Sequence, residues 1–113
     1  MFDPHKDWMP IGTVVRMEGA ERLVMIVGYM AIDGMTGRAW DYAGYPYPEG
    51  KQDPSELFFD RGDIAELYQL GFCDAEGIAF LAQLRGSERS YDAERARRSK
   101  SSTRAGVGEV SHG

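Results

Sequence analysis

Residues 23–32 read LVMIVGYMAI and form the longest uncharged apolar run in the chain. Val24 and Ile26 alternate with Leu23 and Met25, so apolar side chains would lie on both faces of a strand. A strand that is apolar on both faces is usually covered on both sides. The run therefore predicts the central strand of a sheet. It is well short of the roughly 20 residues that a membrane-spanning helix needs, so we expect no membrane insertion.

Three other segments predict strands that join this central one. Residues 11–17 alternate in a β-branched stretch, residues 39–45 are rich in aromatic side chains, and residues 56–59 form a short apolar run. A glycine-punctuated loop at residues 33–37 would link the central strand to the aromatic one. About four strands joined by such turns predict a small curled antiparallel sheet or an SH3-like barrel.

Two short helices are predicted after these strands, where they would cover the open side of the sheet. The first would be capped by Asp60 and begin at about Arg61. Its apolar side chains at helical spacing are Ile64, Leu67 and Tyr68. The second would be capped by Asp74. Its apolar side chains repeat every third residue and are Ile78, Leu81 and Leu84. Together, the strands and helices predict an α+β fold.

Composition divides the chain into an N-terminal arm (1–8), an α+β domain (9–85) and a disordered basic tail (86–113). The tail contains no Phe, Leu, Ile, Met or Trp, so it cannot bury enough apolar surface to offset the entropy of ordering. Residues 1–85 carry seven basic and fourteen acidic side chains, a net charge of −7, whereas the tail carries six and four, a net charge of +2. An acidic body repels phosphate backbones, so no nucleic-acid partner is expected.

The sequence predicts no catalytic, metal or cofactor site. His5 and His112 lie at opposite ends of the chain, and Cys73 has no Cys or His near it in sequence. A single cysteine cannot form an intramolecular disulfide, which fits a reducing cytoplasm. Carboxylates are abundant, but their spacing selects no pair for acid and base catalysis. We therefore expect a non-enzymatic cytoplasmic protein.

Residues 40–50 read WDYAGYPYPEG and are the most distinctive segment of the chain. Tyrosines stiffened by proline present a large amphipathic area that loses little entropy on binding, which favours a surface that recognises another protein. The alternative interpretation, packing inside the domain, is favoured for Trp40 and Tyr42 and is equally weighted for Tyr45 and Tyr47. The predicted partner-binding residues are Trp40, Tyr42, Tyr45, Tyr47, Pro48 and Glu49.

The order of several short motifs resembles one bacterial family. The motifs are MPIGTVV at 9–15, LVMIVG at 23–28, WDY at 40–42, YPEG at 47–50, LFFD at 57–60, DI at 63–64 and LGF at 70–72. They are similar to a bacterial domain-of-unknown-function family, four-one-seven-six in its numbering, whose members are encoded beside type VII secretion genes and LXG-type toxins. The similarity covers about residues 9–85 and leaves the tail outside.

This resemblance implies a cytoplasmic accessory protein, a chaperone or targeting adaptor that binds an LXG-type toxin or a component of the secretion system. It implies no catalytic residues and no cofactor. The loop from Met30 to Arg38 is longer than usual in the family, so the choice of partner could differ. The −7 charge of the body supports an alternative, an immunity or regulatory protein that neutralises a toxin domain by mimicking an anionic substrate. A small carboxylate hydrolase is a third and weaker alternative.

Overall fold

The computed structural model describes residues 2–52 and 56–99 as an antiparallel sheet of five strands followed by two helices. The strands are β1 (Val14–Met17), β2 (Leu23–Ile32), β3 (Ala39–Tyr47), β4 (Leu57–Phe59) and β5 (Ile64–Gln69). The helices are α1 (Ala75–Gly86) and α2 (88–99). This is an α+β fold, as the sequence predicted.

Strand β2 lies at the centre of the sheet, whose order is β4-β3-β2-β1-β5. Its pairing with β3 is long, from Leu23 opposite Tyr47 to Ile32 opposite Ala39. Val24 is buried on β2, whose apolar run thus has the central place expected for it. The sheet is open, with β4 and β5 at its edges, so an open antiparallel sheet and not a closed barrel is the form adopted.

Residues 64–69 form strand β5, so the helix predicted to start at about Arg61 is wrong. A local side-chain bond is present here, in which the Asp60 amide donates to the Asp63 carboxylate over 2.9 Å, while the Asp60 carboxylate accepts from the Asp41 amide over 3.0 Å. The local bond closes only a single 3₁₀ turn, Arg61–Asp63. The chain then pairs with β1, which offers a ladder of backbone partners that an isolated short helix could not match in stability.

The N-terminal residues pack onto the domain, so the predicted arm at 1–8 is not separate from the body. Trp8 and Met9 are only 2% and 0% exposed. The Met9 amide donates to the Tyr42 hydroxyl over 2.7 Å, and His5 Nε2 lies 2.7 Å from the carbonyl oxygen of Ile64. The physical reason is the large apolar area of Trp8, which is stabilising only when it is removed from water.

Aromatic rings form the centre of the core. The Trp8 ring meets those of Tyr29, Tyr42 and Tyr91 edge to face, with centroids 6.2, 5.7 and 5.9 Å apart. Tyr42 also contacts Phe59, at 5.5 Å. These five residues come from the N-terminal segment, β2, β3, β4 and α2, so the cluster joins distant parts of the chain.

Alkaline pH is expected to destabilise the protein through these tyrosines. Burial raises the pKa of Tyr29 to about 12 and also raises the pKa values of Tyr42 and Tyr91. Tyrosines of the unfolded chain ionise near pH 10, so above that pH the unfolded state has lost protons that the folded state still holds. Stability should therefore fall as the pH rises from about 10 to about 12.

This alkaline loss can be measured as the urea midpoint at successive pH values, together with tyrosinate absorbance. Tyr91→Phe is expected to weaken the pH dependence, because it keeps the ring but removes one buried ionisable hydroxyl. A midpoint that stays constant up to about pH 12 would contradict the assignment.

Helix α1 begins where the sequence predicted it, since the Asp74 carboxylate accepts from the Gly77 amide over 2.9 Å. Helix α2, in contrast, occupies part of the stretch predicted to be disordered, so the prediction of disorder is wrong for residues 88–99. Tyr91 is buried and anchors this helix, although the composition of the stretch did not indicate a buried residue. The ion pair between Arg95 and Asp41 of β3 also holds the helix on the sheet. Residues 100–113 of the predicted tail lie outside the described residues.

Candidate functional site

The six predicted partner-binding residues separate into a buried group and an exposed group. Tyr42 is fully buried, so it is a core residue and not part of a docking surface. Trp40 is half-buried beneath the guanidinium of Arg38, which lies 4.1 Å from the centre of its ring. The Trp40 Nε1 group is buried and has no hydrogen-bond partner among the described residues. Trp40 and Tyr42 therefore fit the packing interpretation better than the recognition one.

The exposed group consists of Tyr45, Tyr47, Pro48 and Glu49, which we call the tyrosine segment. Tyr45 is half-buried and Tyr47 is 49% exposed, while Pro48 and Glu49 are exposed in the turn that follows β3. Because side chains alternate along a strand, Tyr45 and Tyr47 lie on the same face. The segment therefore presents two tyrosines to one side of the sheet, with Pro48 and Glu49 in the turn that follows.

The neighbouring strand fixes the position of this segment. Tyr45 and Tyr47 lie opposite Met25 and Leu23 of β2. Next to them, the Glu49 carboxylate accepts a hydrogen bond from the Arg22 guanidinium, which lowers the pKa of Glu49. The tyrosine segment is therefore held by backbone pairing on one side and by an ion pair at its end.

Asp41 is the centre of a buried polar cluster that sequence reasoning did not find. Its side chain is 4% exposed. One carboxylate oxygen accepts from the backbone and Nε groups of Arg61, over 2.9 and 3.1 Å. The other accepts from the Tyr91 hydroxyl over 2.9 Å and from Arg95 Nη1 over 3.0 Å. Since both oxygens already have partners within the chain, Asp41 is suited to holding α2 on the sheet and not to catalysis.

Further contacts extend this cluster to the N-terminal segment. The Arg61 guanidinium lies 4.1 Å from the centre of the Trp8 ring and donates to the Glu88 carboxylate over 2.8 Å. Glu88 also accepts from Trp8 Nε1 over 2.6 Å. The cluster therefore connects α2, the 3₁₀ turn, β3 and the N-terminal residues.

Helix α1 leaves apolar side chains exposed at its sides, although the sequence predicted that it would cover the sheet. Its only buried residue is Leu84. Ile78 and Phe80 are 52% and 47% exposed, and Phe72, just before the helix, is 86% exposed. The sequence placed Ile78 on the packed face because of its spacing from Leu84. The exposed apolar surface of α1 could have been inferred from Phe80, which falls outside the every-third-residue spacing of Ile78, Leu81 and Leu84 and so had no place on the predicted packed face.

An open groove of about 430 Å³ lies between α1 and the turn that precedes β1. We call it the α1 groove. Its apolar lining includes Ile11, Tyr29, Phe72 and Phe80, together with the half-buried thiol of Cys73. A concave surface lined by several exposed apolar side chains is a feature of many interaction sites.

Two other kinds of site are absent from the described ranges. Within residues 2–52 and 56–99, no three or more His, Cys, Asp and Glu side chains are grouped so that they could hold a metal ion. No helix in this part of the chain has both the length and the apolar character required to cross a membrane.

Comparison with known proteins identifies one family. A family model described as "Domain of unknown function (DUF4176)" matches residues 8–80. No curated protein and no solved structure matches the chain. The matched region starts at the buried Trp8 and contains all five strands, the tyrosine segment and most of the α1 groove. Helix α2 lies beyond it.

Proposed function

Because the chain belongs to the family described as Domain of unknown function (DUF4176), we propose that it is a non-enzymatic adaptor or chaperone of a type VII secretion system. In this role it binds an LXG-type toxin, or a component of the secretion machinery, in the cytoplasm. The connection with secretion and toxins comes from the family resemblance described in the first section. The binding function has separate support in the surface of the domain.

The observation that carries the proposal is the accessible tyrosine segment. Tyr45 and Tyr47 lie on one face, with Tyr47 half-exposed, and their backbones are held by β2. Tyrosine combines a large apolar ring with a polar hydroxyl and is enriched at the energetic centres of protein interfaces. A fixed backbone reduces the entropy lost on binding, so this segment suits recognition of another polypeptide.

Replacing both tyrosines of the segment is expected to weaken capture of the partner. The protein would be co-expressed with an LXG-type toxin encoded beside it, and the toxin recovered by pull-down. Tyr45→Ala combined with Tyr47→Ala should reduce recovery by about ten-fold or more, as loss of a central aromatic contact typically does. Tyr68→Ala is the matched control, since Tyr68 on β5 is 52% exposed and lies outside the segment.

The outcomes of this pull-down test the tyrosine segment as a binding surface separately from the adaptor role. Full recovery of toxin by the double variant would reject the tyrosine segment as the binding surface. Failure of the wild-type protein to recover the toxin, or any secretion component co-expressed with it, would reject the adaptor role itself.

The second candidate is an immunity protein, favoured by the −7 charge of residues 1–85. An acidic surface could occupy a catalytic cleft that binds an anionic substrate. The discriminating assay expresses the isolated toxic domain of the toxin with and without this protein. An immunity protein restores growth, whereas an adaptor that binds the toxin's targeting region leaves the cells unprotected.

A further inference from the structure

The α1 groove differs from the tyrosine segment in every residue, so its function can be argued independently. Its most exposed apolar residue is Phe72, at 86%, and Ile11 and Phe80 are each 47% exposed. The Tyr29 and Phe80 rings lie 5.8 Å apart on its floor. These apolar side chains lie between two fixed parts of the fold. Much of their area is in contact with water in the free protein, so covering it with a partner would be favourable.

The walls of the groove are preformed. Gly71 lies so close to the turn before β1 that an added Cβ would be 2.2 Å from the carbonyl oxygen of Ile11. The Gly71 amide donates to the Thr13 hydroxyl over 3.0 Å. These contacts set the path of the chain into Phe72 and hold Ile11 across from it. A site that needs no rearrangement loses less free energy on binding.

The shape of the groove suits a helix. On α1 its wall is a stripe in which Gly77 is followed by Phe80 and Leu81, three and four residues later, and Cys73 lies just before the helix begins. Residues at this spacing lie along one side of a helix, so the wall follows the helix axis. Gly77 has no side chain, and the Cys73 thiol packs beside it, because a Cβ built on Gly77 would lie 3.0 Å from Cys73 Sγ. A second helix can place its own ridge of apolar side chains along such a wall.

The charge of the rim selects the polar face of the bound helix. Asp74 and Glu76 line the groove and are exposed, and no Lys or Arg is among its described lining residues. The surrounding body, residues 1–85, carries a net charge of −7. Lys or Arg beside the apolar face of a partner would therefore find complementary charge, while Asp or Glu there would be repelled.

We infer that the α1 groove binds an amphipathic helix of a partner protein, with its apolar face between Ile11 and Phe80 and with Lys or Arg near Glu76. The partner helix inserts apolar side chains at positions i, i+3 or i+4 and i+7. The inference goes beyond the proposed adaptor function, since it assigns a second docking site and the chemistry of what occupies it. It can fail while the tyrosine segment still binds a partner.

The test uses the full chain and two synthetic helices with the same leucine face, one carrying Lys and the other Glu on its polar face. Binding is followed by fluorescence anisotropy of the labelled peptides. Occupancy of the groove itself is followed by the rate at which a maleimide alkylates Cys73, the only cysteine of the chain. We expect saturable binding of the Lys peptide, slower alkylation of Cys73 and much weaker binding of the Glu peptide.

Two variants with matched controls locate this binding. Phe72→Ala is expected to weaken binding of the Lys peptide about ten-fold, whereas Met35→Ala, at an apolar residue 95% exposed elsewhere, leaves it unchanged. Glu76→Lys is expected to weaken it about three-fold, within the range of exposed charge pairs, and Glu21→Lys, at another exposed carboxylate, should weaken it less. Phe72 and Glu76 are exposed, so neither change is expected to unfold the domain.

Several results would overturn the inference. They are absence of binding by the Lys peptide, equal binding of the Glu peptide, or binding that Phe72→Ala does not affect. Protection of Cys73 by a synthetic peptide of residues 100–113 at a lower concentration than the Lys helix would assign the groove to the chain's own end. A dimer of the full chain that Phe72→Ala dissociates would assign it to a second copy.

Discussion

Asp41→Ala is expected to destabilise the protein by about 3–5 kcal/mol, because it removes the carboxylate that two buried or partly buried guanidinium groups share. The side chains of Arg61 and Arg95 are only 16% and 26% exposed, so neither would be fully solvated after the change. The Arg61 amide and the Tyr91 hydroxyl would lose their acceptor as well. Urea denaturation followed by circular dichroism measures the loss.

The control for this prediction is Asp92→Ala, which removes a carboxylate from the exposed side of α2. Its effect is expected to stay within about 0.5 kcal/mol, as at other exposed positions. Arg95→Ala should lower the free energy of unfolding by less than Asp41→Ala does, because it leaves the ion pair between Asp41 and Arg61 intact. In a double-mutant cycle, the effects of Asp41→Ala and Arg95→Ala on the free energy of unfolding should be non-additive by about 0.5–3 kcal/mol. Equal effects of Asp41→Ala and Asp92→Ala would show that the cluster does not stabilise the fold.

The strands that the sequence predicted are those with a strong local pattern. Strand β2 was recognisable because its apolar residues occupy both faces, and α1 because Asp74 is a good cap in front of a periodic segment. Strand β5 was not recognisable. Ile64, Leu67 and Tyr68 fit the spacing of a helix, and only the register with β1, set by residues about fifty positions earlier, decides that they form a strand.

Helix α2 illustrates a different limit of sequence reasoning. Composition predicted disorder because this stretch lacks the usual large aliphatic residues. One tyrosine and several charged side chains are nevertheless sufficient to hold the helix on the domain. Tyr91 fills a place beside Trp8, and Arg95 bonds to Asp41 and Asp60. A local signal for a helix was present in the pair of Glu94 and Arg98, four residues apart. The acceptors on the sheet could not be identified from composition.

The candidate site was only partly predictable for a related reason. All six residues of the proposed recognition surface lie within ten positions of the sequence. Successive side chains of a strand point to opposite faces, and only part of a strand's length is covered by other elements. Tyr42 therefore lies in the core while Tyr47 is half-exposed. The α1 groove was missed because it depends on the close approach of Gly71 to Ile11, two residues sixty positions apart.

Tyr42→Ala is expected to destabilise the domain by about 3–5 kcal/mol, the usual effect of removing a buried aromatic ring. Tyr42 is 0% exposed and is in ring contact with Trp8, Tyr29 and Phe59. The cavity would lie in the middle of the aromatic cluster. Tyr47→Ala, on the same strand, should change the free energy of unfolding by less than about 1 kcal/mol because Tyr47 is half-exposed.

Tyr42→Phe separates the hydroxyl from the ring. The ring contacts remain, but the buried Met9 amide loses its 2.7 Å acceptor, which is expected to cost about 1–3 kcal/mol. Because this bond attaches the N-terminal segment, amide exchange at residues 8 and 9 should accelerate more than at β2. If Tyr42→Ala and Tyr47→Ala have equal effects on unfolding, Tyr42 is not a core residue and the division of the predicted site into buried and exposed groups is incorrect. If Tyr42→Phe is silent in both measurements, the bond from the Met9 amide to the Tyr42 hydroxyl does not hold the N-terminal residues in place.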